Sequence, residues 1–390
     1  MEEQRRVAVV IPKFGLVGGA EGFAAEITER IAVDPRFEIH VFANRWADSS
    51  GRIVFHHVPI VRFPKFLTTP SFAWFAGRAI AAAGPFDLIH THDRIFKADV
   101  YTMHGIPHRW WVREVRRKRM SLFDRALARV EDCLVSNGSC RRFLAVSGLT
   151  RKIFLEEYPI DPARVTVVHP GIDASLCAKL DRERCRREIR GRFGIGPDEP
   201  LILFVSMNFA IKGLDYLMKG LGLLRAESPG KRFRLLVIGR GDEKAYGRLA
   251  RELGLGDSVV FAGTVVREKL PEFDLAGDLY AMLSRFDTFG MVVLEAMAAG
   301  LPVLISGSVG AGDIVREGEN GFVVENPADS ESIAERIERM LHDDVREKMG
   351  REALKTAGEN SWDMAVARVL KVYAEIWADQ RLVNSKIPHP

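Results

Sequence analysis

The chain has 390 residues, of which 47% are hydrophobic and 28% are charged, and its formal net charge is +4. This length is about twice that of one ordinary domain, so we predict two domains with separate cores. The composition is that of a soluble globular protein, which excludes a disordered chain and a small disulfide-stapled one.

The first residues and the cysteines bear on the compartment. Met1 to Arg6 is polar, and the run Val7 to Ile11 that follows is too short for the core of a signal peptide or for a membrane span. We therefore expect a cytoplasmic protein that at most touches the cytoplasmic face of a membrane. The four cysteines have no CxxC spacing and no histidine at ligand spacing, so we expect reduced thiols.

Short runs rich in Val and Ile alternate with segments of helical period along the whole chain. This pattern predicts parallel strands that helices cover on both faces. The first series of predicted strands lies at 7–11, 37–42, 53–58, 87–91, 99–103, 143–146 and 165–168. The second series lies at 201–206, 233–239, 258–262, 278–283, 303–306 and 321–324. We therefore predict an α/β fold with two sheets.

A charged segment, 171–198, separates the two series and has glycines and a proline near its end. We place the boundary there, which gives an N-terminal domain at 1–170 and a C-terminal domain at 171–361. A last strong helix begins at Trp362, and we expect 362–380 to return to the first domain. The residues after Gln380 include two prolines and are expected to fray.

The loop from Lys13 to Glu21 joins the first strand to a helix. Its glycines, including Gly18 and Gly19, let a backbone approach a ligand, and the N–H groups at a helix start favour an anion. The loop lacks the GxGxxG pattern, and Asn44 rather than an acid follows the next strand, so dinucleotide binding is disfavoured. A tight turn that binds nothing is the alternative for this loop alone.

The segment 284–303 is the most specific motif of the chain. A strand ends at its start, a Phe-Gly turn follows, and a helix is predicted to begin close to Gly290 and to stop at Gly300. The start of this helix can meet a phosphate. Asp287 lies in the loop and Glu295 lies about one turn inside the helix, and each carboxylate can accept hydrogen bonds from sugar hydroxyls.

This segment resembles the signature of the family 4 retaining glycosyltransferases of GT-B fold, in which two acids surround a Phe-Gly turn and Glu-Ala-Met and a Gly-x-Pro-Val stop follow. Further similar segments extend over nearly the whole chain, at 18–21, 168–173, 212–213 and 319–323. The resemblance implies two Rossmann-like domains that face each other across a cleft. It assigns the acceptor to the first domain and a nucleotide-sugar donor to the second.

The resemblance also assigns roles to single residues. Glu295 is expected to hold the donor ribose, Asp287 to face the transferred sugar, and Lys212 to hold the diphosphate. His104, which follows a strand of the first domain, is expected to reach toward the transferred sugar, and a buried core histidine is the alternative. The expected catalytic residues are thus Asp287, His104 and Lys212. Further donor contacts are expected from Gly18, Gly19, Phe289, Gly290 and Met291.

Two positions depart from the family pattern. Asp287 stands where the family usually has Glu, and Met207 stands where an Arg usually precedes the lysine by five residues. The segment 206–213 instead resembles the branch that builds lipopolysaccharide cores, where that Arg is also missing. Lys212 is then expected to hold the diphosphate alone, or with Arg240, for which a solvated strand-end arginine is the plainer interpretation.

The sequence gives no indication of a metal or another cofactor. No Asp-x-Asp pair ends a strand to hold a divalent ion, so the charge of the leaving group would be met by Lys212 and by helix N-termini. The resemblance implies that the sugar is transferred with retention of its anomeric configuration, on one face and without a side-chain nucleophile.

The stretch 109–129 is rich in arginine and contains few acids. Tryptophans and aliphatic residues lie between the arginines, so a helix here would have the apolar and cationic faces that suit an anionic membrane or a phosphorylated glycolipid. A solvated charged helix is the alternative. Nucleic acid is disfavoured as a partner because no recognised binding motif accompanies the charge.

These features together predict a metal-independent retaining hexosyltransferase. We expect it to move glucose from a UDP-sugar to a cell-envelope glycolipid such as a lipopolysaccharide core. A UDP-sugar 2-epimerase of the same fold is an alternative, although those enzymes lack the Phe-Gly-x4-Glu-Ala arrangement and need no acceptor. A catalytically impaired sugar-binding protein is another, if Asp287 disables transfer.

Overall fold

The structure is a computed structural model that describes residues 4–16 and 18–385, without the side chains of 381–385. The chain divides into two compact units. The first combines Met1–Gly171 with Trp362–Pro390, and the second is Ile172–Ser361. Val17 of the predicted glycine loop and the prolines of the predicted frayed end lie outside the described residues.

The first unit is built on a seven-stranded parallel sheet. The strands of this unit are β1 (Arg5–Val10), β2 (Lys13–Phe14), β3 (Phe37–Ala43), β4 (Arg45–Trp46), β5 (Ile53–His57), β6 (Leu88–Thr91), β7 (Val100–Met103), β8 (Arg142–Ala145) and β9 (Val165–Val167). The sheet has the order β5-β3-β1-β6-β7-β8-β9, while the short strands β2 and β4 pair with each other outside it. The seven predicted strands agree with the structure to within two residues, and the β2–β4 pair was not predicted.

Helices cover this sheet. They are α1 (Gly19–Ile31), α2 (Thr68–Ala83), α3 (His108–Trp110), α4 (Leu122–Ser136) and α5 (Gly148–Glu157), with 3-10 turns at Lys65–Leu67 and Pro162–Arg164. The apolar stripe of α1, which recurs every fourth residue, is buried, since Phe23, Ile27 and Ile31 are each at most 3% exposed. Burial of such a stripe against the sheet is what stabilises an amphipathic helix of this length.

The final helix (Trp362–Ser385) packs on the first unit. The Trp362 ring meets Phe23 of α1 edge-on with centroids 5.7 Å apart, and the Tyr373 hydroxyl lies 2.6 Å from Nδ1 of His90 on β6. The helix continues to Ser385, past the end at residue 380 that the sequence suggested.

The second unit contains a six-stranded parallel sheet of order β12-β11-β10-β13-β14-β15. Its strands are β10 (Leu201–Ser206), β11 (Arg234–Gly239), β12 (Val259–Gly263), β13 (Leu279–Met282), β14 (Val303–Ser306) and β15 (Gly321–Val324). Each lies within one residue of its predicted bounds, because the strands are short apolar runs, and all except the edge strand β12 are largely buried.

The helices of the second unit surround that sheet. They are α6 (Ser175–Ala178), α7 (Arg182–Arg192), α8 (Leu214–Glu227), α9 (Glu243–Glu252), α10 (Leu270–Ala276), α11 (Met291–Ala298), α12 (Ser330–Met340) and α13 (Asp343–Glu359), with 3-10 turns at Arg267–Lys269 and Gly310–Ile314. The segment 171–198, which the sequence suggested as a connection, contains α6 and α7. Arg190 of α7 is 3% exposed and donates to Oδ2 of Asp278 over 2.5 Å, which anchors α7 in this unit.

The stretch 109–129 is not one helix, so that prediction was wrong. After α3 it forms a π-helical turn at Trp111–Val115, and Arg117 then adopts a left-handed backbone with φ of 48°. Residues with a β-carbon rarely continue a helix from that conformation. A new helix, α4, begins after Ser121, whose side chain and that of Asp124 form a capping box.

Each sheet has one point where the strand order changes direction. β1 lies between β3 and β6 in the first sheet, and β10 lies between β11 and β13 in the second. The loops that leave two such adjacent strands diverge, and ligands of open α/β sheets bind in the crevice between them at the carboxyl edge. The loops after β1, β6, β10 and β13 are therefore the places to look for a site.

Candidate functional site

The loops after β10 and β13 bring Lys212 and Asp287 together. Nζ of Lys212 contacts Oδ2 of Asp287, and both side chains are less than a quarter exposed. Two hydrogen bonds hold the loops in place, from the backbone N–H of Arg285 to the Ile211 carbonyl over 2.8 Å and from the Ser284 hydroxyl to the same carbonyl over 3.1 Å. The predicted cation and the first predicted carboxylate therefore form one charged pair.

Gly213, directly after the lysine, allows this close approach. Its backbone has φ of 72°, and a β-carbon there would collide with the backbone carbonyl of Leu283. Only glycine fits such a position without moving the neighbouring chain.

The start of α11 follows the same loop. Gly290 is its N-cap with φ of 91°, and a β-carbon there would lie 3.0 Å from Val309. The loop rests on the segment after β14, because Gly310 donates to the Asp287 carbonyl over 3.0 Å and Ala311 donates to the Phe289 carbonyl over 2.7 Å. The first N–H groups of the helix have no carbonyl four residues earlier in the helix to donate to, as at any helix start, and that of Val293 donates instead to the Gly290 carbonyl over 2.9 Å.

Glu295 lies in α11, where it is 19% exposed. Burial raises the pKa of its carboxyl group, and the nearby Arg267 guanidinium acts in the opposite direction. Nη2 of Arg267 lies 3.4 Å from Oε1 of Glu295. No sequence pattern identifies Arg267, because it follows β12 and contacts Glu295 only in the folded chain.

Two other positions of the second unit were singled out in the sequence. Met207 is 67% exposed, and Arg240 is an exposed strand-end residue. Another arginine of this unit, Arg285, is held by Asp215 in a bidentate pair with distances of 3.0 and 2.8 Å. Lys212 is thus the cation that the structure places directly at the candidate carboxylate.

In the first unit the glycine loop follows β1. Gly15 has φ of 65° and Gly18, the N-cap of α1, has φ of 147°. The helix already begins at Gly19, so the last residues of the predicted loop belong to α1. A β-carbon on Gly18 would collide with the carboxylate of Glu21, whereas one on Gly19 would meet nothing within 4 Å.

His104 follows β7, and His92 follows the adjacent strand β6. Nδ1 of His92 lies 3.0 Å from Nε2 of His104, and the two rings are stacked with centroids 5.3 Å apart. Burial lowers the pKa of His104 to about 3 and lowers the pKa of His92 well below its ordinary value, so both rings are neutral near pH 7. His104 is therefore a neutral hydrogen-bonding group.

A cavity of about 680 Å³ opens beside these histidines, within the first unit. Lys13, Arg45 and Arg62 line it together with His92 and His104, and two acids, Glu21 and Asp93, also line it. Within the described residues, none of the three cations has a carboxylate partner. Cations gathered around a cavity without partners favour an anionic ligand. Their convergence could not be read from the sequence, because Lys13 lies on β2, Arg45 on β4 and Arg62 in the segment after β5.

The basic stretch contains both paired and unpaired cations. Arg109 pairs with Asp132, Arg113 pairs with Glu157, and Arg116 pairs with Asp124. Burial would raise the pKa of Asp124, but hydrogen bonds from Ser121, His108 and Arg116 outweigh it and hold that pKa well below its ordinary value. Across the described chain, no such carboxylate partner is present for Arg117, Lys118 and Arg119.

Clusters of metal-ligating side chains and membrane-spanning helices are both absent from the described residues. Over residues 4–16 and 18–385, no group of three or more His, Cys, Asp or Glu residues is arranged to hold a metal ion. No helix in the same part of the chain combines the length and the apolar character that crossing a bilayer requires.

Family models match both units. Residues 17–176 match the model described as Glycosyltransferase Family 4, and residues 186–356 match the model described as Glycosyl transferases group 1. The second match includes Lys212, Asp287 and Glu295, and the first includes His104.

Curated relatives match nearly the whole chain or more than half of it. The D-inositol 3-phosphate glycosyltransferase of Acidothermus cellulolyticus is 27% identical, over 97% of this chain and 92% of the relative. The enzyme of the same name from Streptomyces scabiei is 33% identical over 58% of this chain and 52% of the relative. These relatives are named for inositol 3-phosphate rather than for a lipopolysaccharide acceptor.

Solved structures share the fold. WaaG, a glycosyltransferase involved in lipopolysaccharide biosynthesis, aligns with a TM-score of 0.76 at 21% identity, over 94% of this chain and 99% of that one. HepE of Anabaena in complex with UDP and glucose aligns with a TM-score of 0.70 at 19% identity, over 95% of this chain and 100% of that one.

Proposed function

This chain is a glycosyltransferase of the family 4 type with the GT-B fold, and we propose that it transfers a hexose from a UDP-sugar to a phosphorylated acceptor. The hexose we propose is glucose, transferred with retention and without a metal ion. The contact of Lys212 with Asp287 at the start of α11 carries this proposal.

The donor half of the proposal uses three groups of the second unit. Lys212 and the N-terminus of α11 meet the two charges of the diphosphate, because both present positive potential at one edge of the sheet. Asp287 accepts hydrogen bonds from the hexose, and Glu295 accepts them from the ribose. The solved relative with bound UDP and glucose has the same fold, which supports this class of donor.

The mechanism that we propose depends on where charge develops. As the bond from the hexose to the diphosphate breaks, negative charge grows on the leaving phosphate. Once the bound donor has drawn Lys212 away from Asp287, Lys212 and the first N–H groups of α11 are already in place to stabilise that charge, which lowers the barrier. The leaving phosphate itself takes the proton of the acceptor hydroxyl on the same face, so no side-chain base is assigned.

The acceptor half uses the cavity of the first unit. Lys13, Arg45 and Arg62 provide three cations without carboxylate partners, and a phosphomonoester carries close to two negative charges near pH 7. The name of the curated relatives, D-inositol 3-phosphate glycosyltransferase, supports an acceptor with this group. A phosphorylated cell-envelope glycolipid, such as a lipopolysaccharide core, presents the same chemistry.

A glycolipid acceptor would bring the protein to a membrane, and one surface of the first unit suits that. Phe63 is 89% exposed and Leu122 is 68% exposed, and Nζ of Lys65 lies 5.2 Å from the centre of the Phe123 ring, which places the two segments side by side. Lys118 and Arg119 precede Leu122. Exposed aromatic and aliphatic side chains beside cations insert at an anionic bilayer surface. We name Phe63, Lys118, Arg119 and Leu122 the basic apolar surface.

The experiment is a transfer assay with labelled UDP-glucose and two acceptors, inositol 3-phosphate and a phosphorylated core glycolipid in vesicles. Labelled product with either acceptor and release of UDP support the proposal, and the acceptor that reacts identifies the source of the phosphate. Conversion of the donor to a 2-epimer without any acceptor would instead identify an epimerase. Donor binding without turnover would identify a sugar-binding protein.

Substitutions of the arginines that line the cavity test whether the acceptor phosphate binds there. Arg45→Gln and Arg62→Gln should raise the acceptor KM while leaving UDP affinity unchanged, because they remove cations of the first unit only. Arg248→Gln, an exposed arginine of α9, is the matched control. An unchanged acceptor KM in both cavity variants would show that the phosphate binds elsewhere.

A further inference from the structure

Three histidines lie in a row on the carboxyl side of the first sheet. His90 is on β6, His92 follows that strand, and His104 follows the neighbouring strand β7. The His90 and His92 rings have centroids 4.3 Å apart, and the His92 and His104 rings 5.3 Å apart. The first two are at most 5% exposed. His104, which also lines the cavity, is half-buried.

The hydrogen bonds of the outer members of this row differ. Both ring nitrogens of His90 have hydroxyl partners, Tyr373 at 2.6 Å and Thr102 at 2.7 Å. A hydroxyl can donate or accept, so these contacts do not fix the His90 tautomer. His104 uses Nε2 for the 3.0 Å contact with Nδ1 of His92. Its remaining nitrogen, Nδ1, is the one available to a ligand in the cavity.

The contact between His92 and His104 can have two proton arrangements, which differ in the ring nitrogen of His92 that carries the proton. Nε2 of His92 is fully buried and has no hydrogen-bond partner within the described residues. In one arrangement, His92 carries its proton on Nε2, which leaves a buried N–H without an acceptor. In the other, the proton is on Nδ1, where it is donated to His104, and only a lone pair of Nε2 is left unsatisfied.

The second arrangement is the stable one. A buried N–H without an acceptor is rare in proteins, whereas an acceptor with an unused lone pair is tolerated more often. With the proton of His92 on Nδ1, Nε2 of His104 must be the acceptor. A neutral imidazole has one proton, so that of His104 then lies on Nδ1.

We propose that His92 is a positioning residue, which donates from Nδ1 to Nε2 of His104 and so fixes His104 as the Nδ1–H tautomer. His104 thereby presents an N–H donor to an oxygen of a sugar or phosphate bound in the cavity. The identity of that ligand rests on the proposed function, whereas the tautomer does not.

The surroundings hold both rings in the required orientation. Phe23 of α1 meets the His104 ring edge-on with centroids 5.0 Å apart, and it also contacts His92. Because the rings are stacked and buried, His104 does not have to turn when a ligand binds. A donor that is oriented in advance stabilises charge on its acceptor more than one that must reorganise. His104 acts as a donor here and transfers no proton.

The first test is a nitrogen-15 NMR spectrum of the full chain with labelled histidine. Couplings between ring nitrogens and carbon-bound protons distinguish the Nδ1–H, Nε2–H and cationic forms. His104→Gln assigns the His104 signals, and a spectrum of His57→Gln, an exposed histidine of β5, controls for indirect changes. We expect the Nδ1–H tautomer for both His92 and His104. An Nε2–H tautomer of His104 would overturn the proposal.

The second test compares two substitutions of His92 that have similar size. In His92→Asn, the amide N–H lies near the position of Nδ1 and can still donate to His104. In His92→Leu, that donor is lost. We expect His104 to remain the Nδ1–H tautomer in the Asn variant and to become a mixture of both tautomers in the Leu variant. Should His92→Leu fail to fold, the wild-type and Asn spectra still decide the question.

Kinetics separate this inference from the proposed function. His92→Leu should lower kcat for transfer about three- to tenfold, the scale of one ordinary hydrogen bond, while His92→Asn retains most of it. Equal losses in both variants, with the His104 tautomer unchanged, would indicate a structural role and overturn the proposal. An Nδ1–H spectrum in a protein without transferase activity would leave the tautomer standing and reject the proposed function.

Discussion

Lys212 and Asp287 contact each other through Nζ and Oδ2, although they are 75 positions apart and follow different strands. In the proposed donor site they have different partners, the diphosphate and the hexose. Without a ligand each neutralises the other, so removing one leaves the other charge unpaired. Because of this pair, replacing Lys212 and replacing Asp287 should have different effects on UDP affinity.

Replacing Lys212 should weaken both UDP and UDP-glucose binding. Lys212→Met removes a charge-assisted contact with the diphosphate that both ligands have, so affinity should fall about tenfold to a hundredfold. Calorimetry with each ligand measures this. Lys219→Met, an exposed lysine of α8, is the matched control and should bind like wild type. Wild-type UDP affinity in Lys212→Met would mean that the diphosphate binds elsewhere.

Replacing Asp287 should have the opposite effect on UDP. Asp287→Asn releases Lys212 from its partner, and free UDP has no hexose, so UDP affinity should be equal to wild type or higher. Sugar transfer should collapse because the hexose loses a carboxylate acceptor. Glu335→Gln, an exposed acid of α12, controls for the loss of one negative charge. Loss of UDP affinity with an intact fold would contradict the assignment of Asp287 to the hexose.

UDP binding should depend on pH through Glu295. Burial raises the pKa of this carboxyl group and Arg267 opposes that shift, so Arg267→Gln should raise the pKa further. As pH falls through the raised pKa, the carboxylate gains a proton and becomes a weaker acceptor for the ribose hydroxyls. UDP affinity should therefore decline at a higher pH in Arg267→Gln than in wild type.

Calorimetry at a series of falling pH values tests this prediction, because the loss of UDP affinity should begin at a higher pH in Arg267→Gln. Arg248→Gln provides the control for a lost surface charge. Identical pH profiles for wild type and Arg267→Gln would show that Arg267 has no influence on the ribose carboxylate.

The two sheets could be predicted from the sequence more completely than the candidate site. Strands such as β10 and β14 were predicted almost to the residue, because a run of buried Val, Leu and Ile between turns has few alternative structures. The stretch 109–129 was interpreted as a helix because tryptophans and aliphatic residues lie between its arginines. The break depends on the backbone of Arg117 and on the Ser121 cap, which composition does not reveal.

Only part of the candidate site could be recognised from the sequence. The residues of the 284–303 motif are close in sequence, so their spacing carries information. Tertiary structure brings Arg267 to Glu295, and it brings Arg45 to the cavity of the first unit. Neither arginine belongs to a sequence pattern that identifies it. One sequence feature does point to His92, because it stands two positions after His90 at the end of a predicted strand.

The basic apolar surface should bind anionic vesicles. The double variant Lys118→Ser with Arg119→Ser should weaken binding by about 1 kcal/mol per charge, and Phe63→Ala should weaken it further, with UDP affinity unchanged. Arg116 is left out because it pairs with the buried Asp124, and replacing it would disturb the α4 cap. Vesicle flotation measures binding, with Arg248→Ser as the control. Flotation equal to wild type would exclude this surface as a membrane contact.

The most direct test of the central claim is transfer itself under excess EDTA. Purified protein receives UDP-glucose labelled in the hexose together with a phosphorylated acceptor, and the products are resolved and their anomeric configuration is determined by NMR. We expect labelled product with the α configuration of the donor and one UDP released per transfer, at the same rate with and without EDTA. Activity that EDTA abolishes and magnesium or manganese restores, or a product of inverted configuration, would contradict this expectation.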